Sequence, residues 1–166
     1  MDGATMAHWG SLLRTIKFVI STRVKVLKME PTTKCNDLWS ISAFCDSDYA
    51  GDKDSRISIT GYLIYVLGAP VAWKSKSQKS VTLSSSEAEY VAMSETVTEV
   101  LYIKQILEFL GINIDKPIQV NMDNVGAMYM ANLSGTSQRT KHVDVQYHFV
   151  QEYIEDGEIK VEFVRT

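Results

Sequence analysis

The chain has 166 residues, 45% of them hydrophobic and 22% charged. That is enough to bury one sizeable core, and it excludes a disordered or fibrous chain. The formal net charge of -3 gives no global field to attract a polyanion, so nucleic-acid binding requires a local basic patch or metal ions. Cys35 and Cys45 form neither a disulfide framework nor a zinc-ligand spacing. No apolar run reaches the length of a membrane span, and the start MDGATMAHWG lacks the layout of a signal peptide.

From Ala7 to Ile20, apolar residues recur at Trp9, Leu12, Leu13, Ile16, Val19 and Ile20, which predicts an amphipathic helix. The next segment, STRVKVLKMEPTTKCNDL, has no sustained period and reads as a linker with at most one strand, placing a domain boundary near Asn36. Alternation in LWSISAFCD puts Trp39, Ile41, Ala43 and Cys45 on one face of a strand. GYLIYVLGAPVAWKSK reads as a hairpin broken at Gly68-Ala69-Pro70. A long helix follows from Ser84 to Leu110, stopped by Gly111. Then come a short strand from Ile118 to Asp123, a short helix in DNVGAMYMA, a helix from Lys141 to Asp156 closed by Gly157, and a strand from Glu158 to Val164. This order describes an α/β mixed sheet with helices packed on it.

The carboxylates carry the chemical signal. Asp46 follows the apolar run Ala43-Phe44-Cys45, and Asp123 closes Val120-Asn121-Met122, so both are expected at strand ends, partly desolvated. On the long helix, Glu89 is in phase with Ala92, Met93, Thr96, Val97, Val100 and Leu101, an apolar stripe. Glu87 is in phase with Tyr90, Val91, Ser94, Glu95 and Thr98, a mostly polar face, so Glu89 is the inward acid. Each acid also has an ordinary structural explanation. Ser84 with Glu87 and Ser86 with Glu89 both fit a capping box, Asp46 with Asp48, Asp52 and Asp54 fits an acidic turn, and Asp123-Asn124 fits a helix cap. Together, three acids on successive elements suit two-metal phosphodiester hydrolysis, with Mg2+ held by hard oxygen ligands.

The stretches FCDSDYAGDKDSRISITGYLIYVLGAPVAWKSKSQKSVTLSSSEAEYVAMSE, VNMDNVGAM and RTKHVDVQYHFVQEYIEDGEIKVEFV resemble, in order and spacing, the ribonuclease H domain of copia-type retrotransposon Pol polyproteins. The resemblance implies a ribonuclease H-like α/β fold, a five-stranded mixed sheet with strands 1–3 antiparallel and helices on its faces. It places a connection segment at residues 1–37, continuing from a reverse transcriptase, and the ribonuclease H-like domain at 38–166. The implied activity is hydrolysis of the RNA strand of an RNA–DNA hybrid by two Mg2+ ions, with Mn2+ as an expected substitute. Asp46, Glu89 and Asp123 are the implied catalytic and metal-binding residues. The family's fourth aspartate lies on a further helix that this chain does not reach, which implies a fragment lacking its last helix. His142 and Asp144 are candidates for an additional role. Lys74, Lys76, Lys79, Ser85 and Asn124 are candidate nucleic-acid contacts, the lysines gripping phosphates without reading bases. Expected partners are the hybrid and the reverse transcriptase domain of the same polyprotein, with no membrane, inside an intracellular virus-like particle. The competing readings are an inactive retrotransposon-derived module that binds hybrid or only packs, and an integrase-like core. The hairpin and the SSSEAEY helix argue against the latter.

Overall fold

The computed structural model describes residues 5–33, 37–51, 55–79, 81–132 and 141–165, except the side chains of 132 and 141–147. Cys35, Asp52, Asp54 and Ser80 lie outside the described residues, as do the side chains of His142 and Asp144.

Helix α1, Met6–Thr22, matches the predicted amphipathic segment and opens with a capping box between Thr5 and His8. None of its residues is buried, and Trp9, Leu12, Leu13, Ile16, Val19 and Ile20 are all exposed. The described part of the linker forms no strand. Its end is tied down where the backbone N–H groups of Thr32 and Thr33 donate to Leu67 O at 2.9 and 3.2 Å.

The main sheet contains β2 (Ile41–Asp48), β3 (Ile59–Val66), β4 (Ala69–Ser77), β6 (Ile118–Met122) and β7 (Ile159–Phe163), in the order β4-β3-β2-β6-β7. The first three are antiparallel neighbours, while β6 runs parallel to β2 and β7 parallel to β6. Two-residue strands β1 (Leu38–Trp39) and β5 (Asn113–Ile114) form a separate parallel pair. Strands so short carry no readable period, and sequence analysis misses them.

The β3–β4 turn is Leu67-Gly68 rather than Gly68-Ala69-Pro70. Both turn residues have positive φ, 51° and 76°, the backbone of a two-residue hairpin whose twist matches its strands. Ala69 and Pro70 belong to β4, an edge strand, where proline's missing N–H costs least.

Helix α2, Ser85–Phe109, buries the predicted stripe from Glu89 to Leu101 against β2 and β3. Tyr90, Val91 and Ser94, expected on a polar face, are buried as well. The reason is that α3 (Val125–Asn132) and α4 (Lys141–Glu155) pack on the other flank of α2. Residues of α2, α3, α4 and the main strands share one core cluster, so these three helices collect on one face of the sheet. On the other face Phe44 and Trp73 remain 42% and 60% exposed.

Candidate metal centre

The sheet and α2 bring the three predicted acids together. One carboxylate oxygen from each of Asp46, Glu89 and Asp123 can be chosen so that all lie within 4.8 Å of one another. Asp46 does not close its strand as expected, because β2 continues through Ser47 and Asp48 paired with β3. Pairing of β2 with β6, however, ends at Phe44 opposite Asn121, two residues earlier. The two parallel strands part there, and the gap holds Asp46 from one strand and Asp123 from just beyond the other. Glu89 enters from the first turns of α2.

The start of α2 resolves which glutamate caps. Ser84 is the N-cap, its hydroxyl accepting from Glu87 N at 3.2 Å, while the Glu87 carboxylate accepts from Leu83 N at 2.7 Å. Ser86 Oγ instead meets Asn124 Oδ1 at 3.4 Å. Asn124 Oδ1 accepts from Ala127 N at 2.9 Å and caps α3.

Desolvation is deepest at Glu89. Asp46 is exposed and Asp123 half-buried, whereas Glu89 is 6% exposed and its Oε2 has no hydrogen-bond partner among the described residues. Burial first, and the negative charge of Asp46 next, push the Glu89 carboxyl up from 4.5 to about 7; the polar groups of Ser47 oppose the rise and Asp123 adds to it. Cys45 Sγ donates to Asn121 O at 3.6 Å, and its thiol is pushed up to about 12 by burial and by the surrounding carboxylates. A thiol held neutral is neither a nucleophile nor a soft-metal ligand. The remaining donors are hard carboxylate oxygens, and an orphaned buried Oε2 between two acids fits a divalent cation such as Mg2+. A cavity of about 280 Å³ opens beside the trio, lined by Phe44, Asp46, Leu63, Met122, Asp123 and Val164 among others.

No family model matches the chain. The whole chain is 36% identical to a stretch of the retrovirus-related Pol polyprotein from transposon RE2 of Arabidopsis thaliana, and 76% of it is 40% identical to that from transposon TNT 1-94 of Nicotiana tabacum. This chain is homologous, end to end, to a segment of copia-type retrotransposon Pol polyproteins. The chain spans only 11% and 9% of the length of those two relatives. Its fold is ribonuclease H-like: the N-terminal RNase H domain of rv2228c from Mycobacterium tuberculosis, solved as a fusion with maltose-binding protein, superposes with a TM-score of 0.52 at 14% identity. That match covers 76% of this chain and 88% of the solved one.

Around the trio, the chain places its other predicted residues unevenly. Lys74 Nζ sits 3.7 Å from Glu95 Oε2 and 5.7 Å from the Tyr62 ring centre, so its charge is largely matched within the protein. Lys76, Lys79 and Ser85 are exposed. His142 and Asp144 fall in the first turn of α4 by backbone. Sequence analysis passes over Ser47, Gln78 and Asn121. Ser47 is signalled only by lying between two aspartates, and Gln78 and Asn121 by nothing local: their burial is created by strands and a helix distant in sequence.

Proposed function

We propose that this chain is a metal-dependent ribonuclease H that hydrolyses the RNA strand of RNA–DNA hybrids during reverse transcription. The observation that carries the reading is the convergence of Asp46, Glu89 and Asp123 at the parting of two parallel strands, with a buried glutamate oxygen left unmatched among the described residues. Asp46, Glu89 and Asp123 would hold Mg2+, two ions with substrate phosphate completing the shell, or Mn2+ in its place. Bound there, the metal supplies an activated water and stabilisation of the leaving oxygen. The chain's own residues do the rest. Glu89 delivers its charge in a water-poor position, so a cation held there is weakly screened. Asp46 and Asp123, more open to solvent, face the side from which a phosphodiester arrives. Lys76, near the end of β4, and Lys79, just beyond it, would contact phosphates of either strand, and Asn124 and Ser85 would contact ribose hydroxyls.

In this reading residues 38–166 are the nuclease domain and 1–37 the connection to the reverse transcriptase, whose surface would cover the exposed stripe of α1. The family context supports action within an intracellular particle. No described helix is long and apolar enough to cross a membrane.

The test is cleavage of an end-labelled RNA–DNA hybrid in Mg2+ and in Mn2+, with Glu89→Gln alongside. Cutting of the RNA strand by the wild type and loss of at least ~100-fold in the variant support the proposal, that being the lower range for removing a group that stabilises charge in the transition state. Hybrid binding without cleavage in either metal would instead identify a non-catalytic binding module.

A further inference from the structure

Behind Glu89 lies a cluster of four buried polar side chains: Ser58 and Thr60 at 0% exposure, Gln78 at 3% and Thr82 at 4%. Polar groups in such a place cost free energy unless hydrogen-bonded, so a fold that retains four of them in one cluster uses their directionality. Ser58 Oγ and Thr82 Oγ1 are 2.9 Å apart, and Gln78 N donates to Ser58 O at 2.8 Å. The Gln78 side chain reaches further. Its Nε2 donates to Thr60 Oγ1 at 3.2 Å and to Ala88 O at 2.9 Å.

The orientation of that amide is fixed by chemistry. A backbone carbonyl only accepts, so the NH2 group and not the oxygen must face Ala88. Ala88 O belongs to the peptide whose nitrogen is that of Glu89. At the other end, Thr60 pairs across the sheet with Ser47, the neighbour of Asp46. One side chain therefore joins the strand beside the Asp46-bearing strand to the peptide plane that carries Glu89.

We propose that Gln78 is a positioning residue for the metal centre, its amide setting the separation and orientation of Glu89 relative to Asp46. The proposal rests on the reading of the carboxylate trio as the metal site. Gln78 touches neither substrate nor metal. Its effect follows from tolerance: Mg2+ demands near-ideal octahedral geometry, and a site loosened by a few tenths of an ångström loses affinity. Outer groups that orient ligands are typically worth about 10- to 100-fold in metal affinity.

The experiment compares the whole chain with Gln78→Met, similar in shape but without the donor, and with Ser58→Ala, which breaks the same cluster without touching Ala88. Mn2+ affinity is measured by calorimetry, and NMR reads the Ala88 carbonyl resonance and the Glu89 χ1 rotamer. The expected result is Mn2+ binding weakened ~10-fold or more in Gln78→Met, with the Ala88 resonance and Glu89 rotamer shifted, and all three unchanged in Ser58→Ala. Equal loss of stability in both variants with wild-type Mn2+ affinity and Glu89 rotamer would overturn it. Should Gln78→Met fail to fold, Thr60→Val, which removes one anchor of the amide, must still weaken Mn2+ binding several-fold, and wild-type affinity there overturns the proposal. If the wild type binds no Mn2+, the metal reading falls, and the Glu89 rotamer in Gln78→Met alone decides whether Gln78 orients that side chain.

Discussion

Replacing Glu89 with glutamine should make the metal-free protein more stable while abolishing its chemistry. The carboxyl rises from its ordinary 4.5 to about 7 on folding. An acid whose folded pKa lies above its unfolded one favours the folded state most below the unfolded value, and that advantage is lost as pH climbs through the folded value. Above about pH 7 the folded state must therefore hold a carboxylate that the unfolded chain holds more cheaply, by about 3 kcal/mol. Glutamine removes this cost and keeps the shape, and its NH2 group can donate to the neighbouring carboxylates. Urea unfolding followed by tryptophan fluorescence, in chelator, should find Glu89→Gln more stable than wild type by about 2–3 kcal/mol near pH 8 and by under about 1 kcal/mol near pH 5. Millimolar Mg2+ should then stabilise wild type and not the variant, closing the gap. A variant no more stable than wild type near pH 8, or a difference that ignores pH, would refute the argument that burial beside Asp46 strains this carboxylate.

Three further outcomes are expected. Glu158 is held below 4.5 by hydrogen bonds from Lys104 and Lys116, so its contribution is present above 4.5 and is lost as pH falls through its lowered value; Glu158→Gln should cost about 1 kcal/mol near pH 7 and nothing in acid, read by denaturant titration. At Gly68, φ is +76° and an added Cβ would meet Thr32 Oγ1 at 1.9 Å, so Gly68→Ala should lower stability by about 1–2 kcal/mol, with Thr32→Ala restoring only the steric part in the double variant. Replacing both Lys76 and Lys79 by alanine should raise KM for hybrid and flatten its salt dependence by roughly two counterions, leaving kcat in place; a fall in kcat alone would remove them from the phosphate track.

Features of this chain that are set by local physics are legible in its sequence. The helical phase of Glu89 needed only the 3.6-residue period, and every residue of its predicted stripe is buried. The five main strands alternate or run apolar, and Gly111 and Gly157 stop their helices as expected. Other features depend on distant partners. Tyr90 and Val91 are buried in a helix on which elements some forty to sixty residues later also pack, an event their own neighbours do not encode. The placement of Asp46 depends on where a parallel partner lets go, which no property of FCDSD announces. The capping ambiguity at SSSEAEY could be settled only by seeing Glu87 turn back to Leu83 while Ser86 meets Asn124 across the corner.

The pairing of β2 with β6 also implies an expected order of assembly. Asp46 and Glu89 come from a contiguous stretch of strands, hairpin and helix, whose contacts close short loops. Asp123 arrives only with a parallel pairing that joins Ala43 to Val120 across the length of α2. Pairings of that range are slow to form, because their loop entropy must be met before any contact rewards it. The carboxylate trio is therefore expected to close last, with the pairing that spans the length of α2. An ion that binds only the finished trio counts finished molecules, and its uptake during refolding would serve as a clock for the final step rather than for collapse.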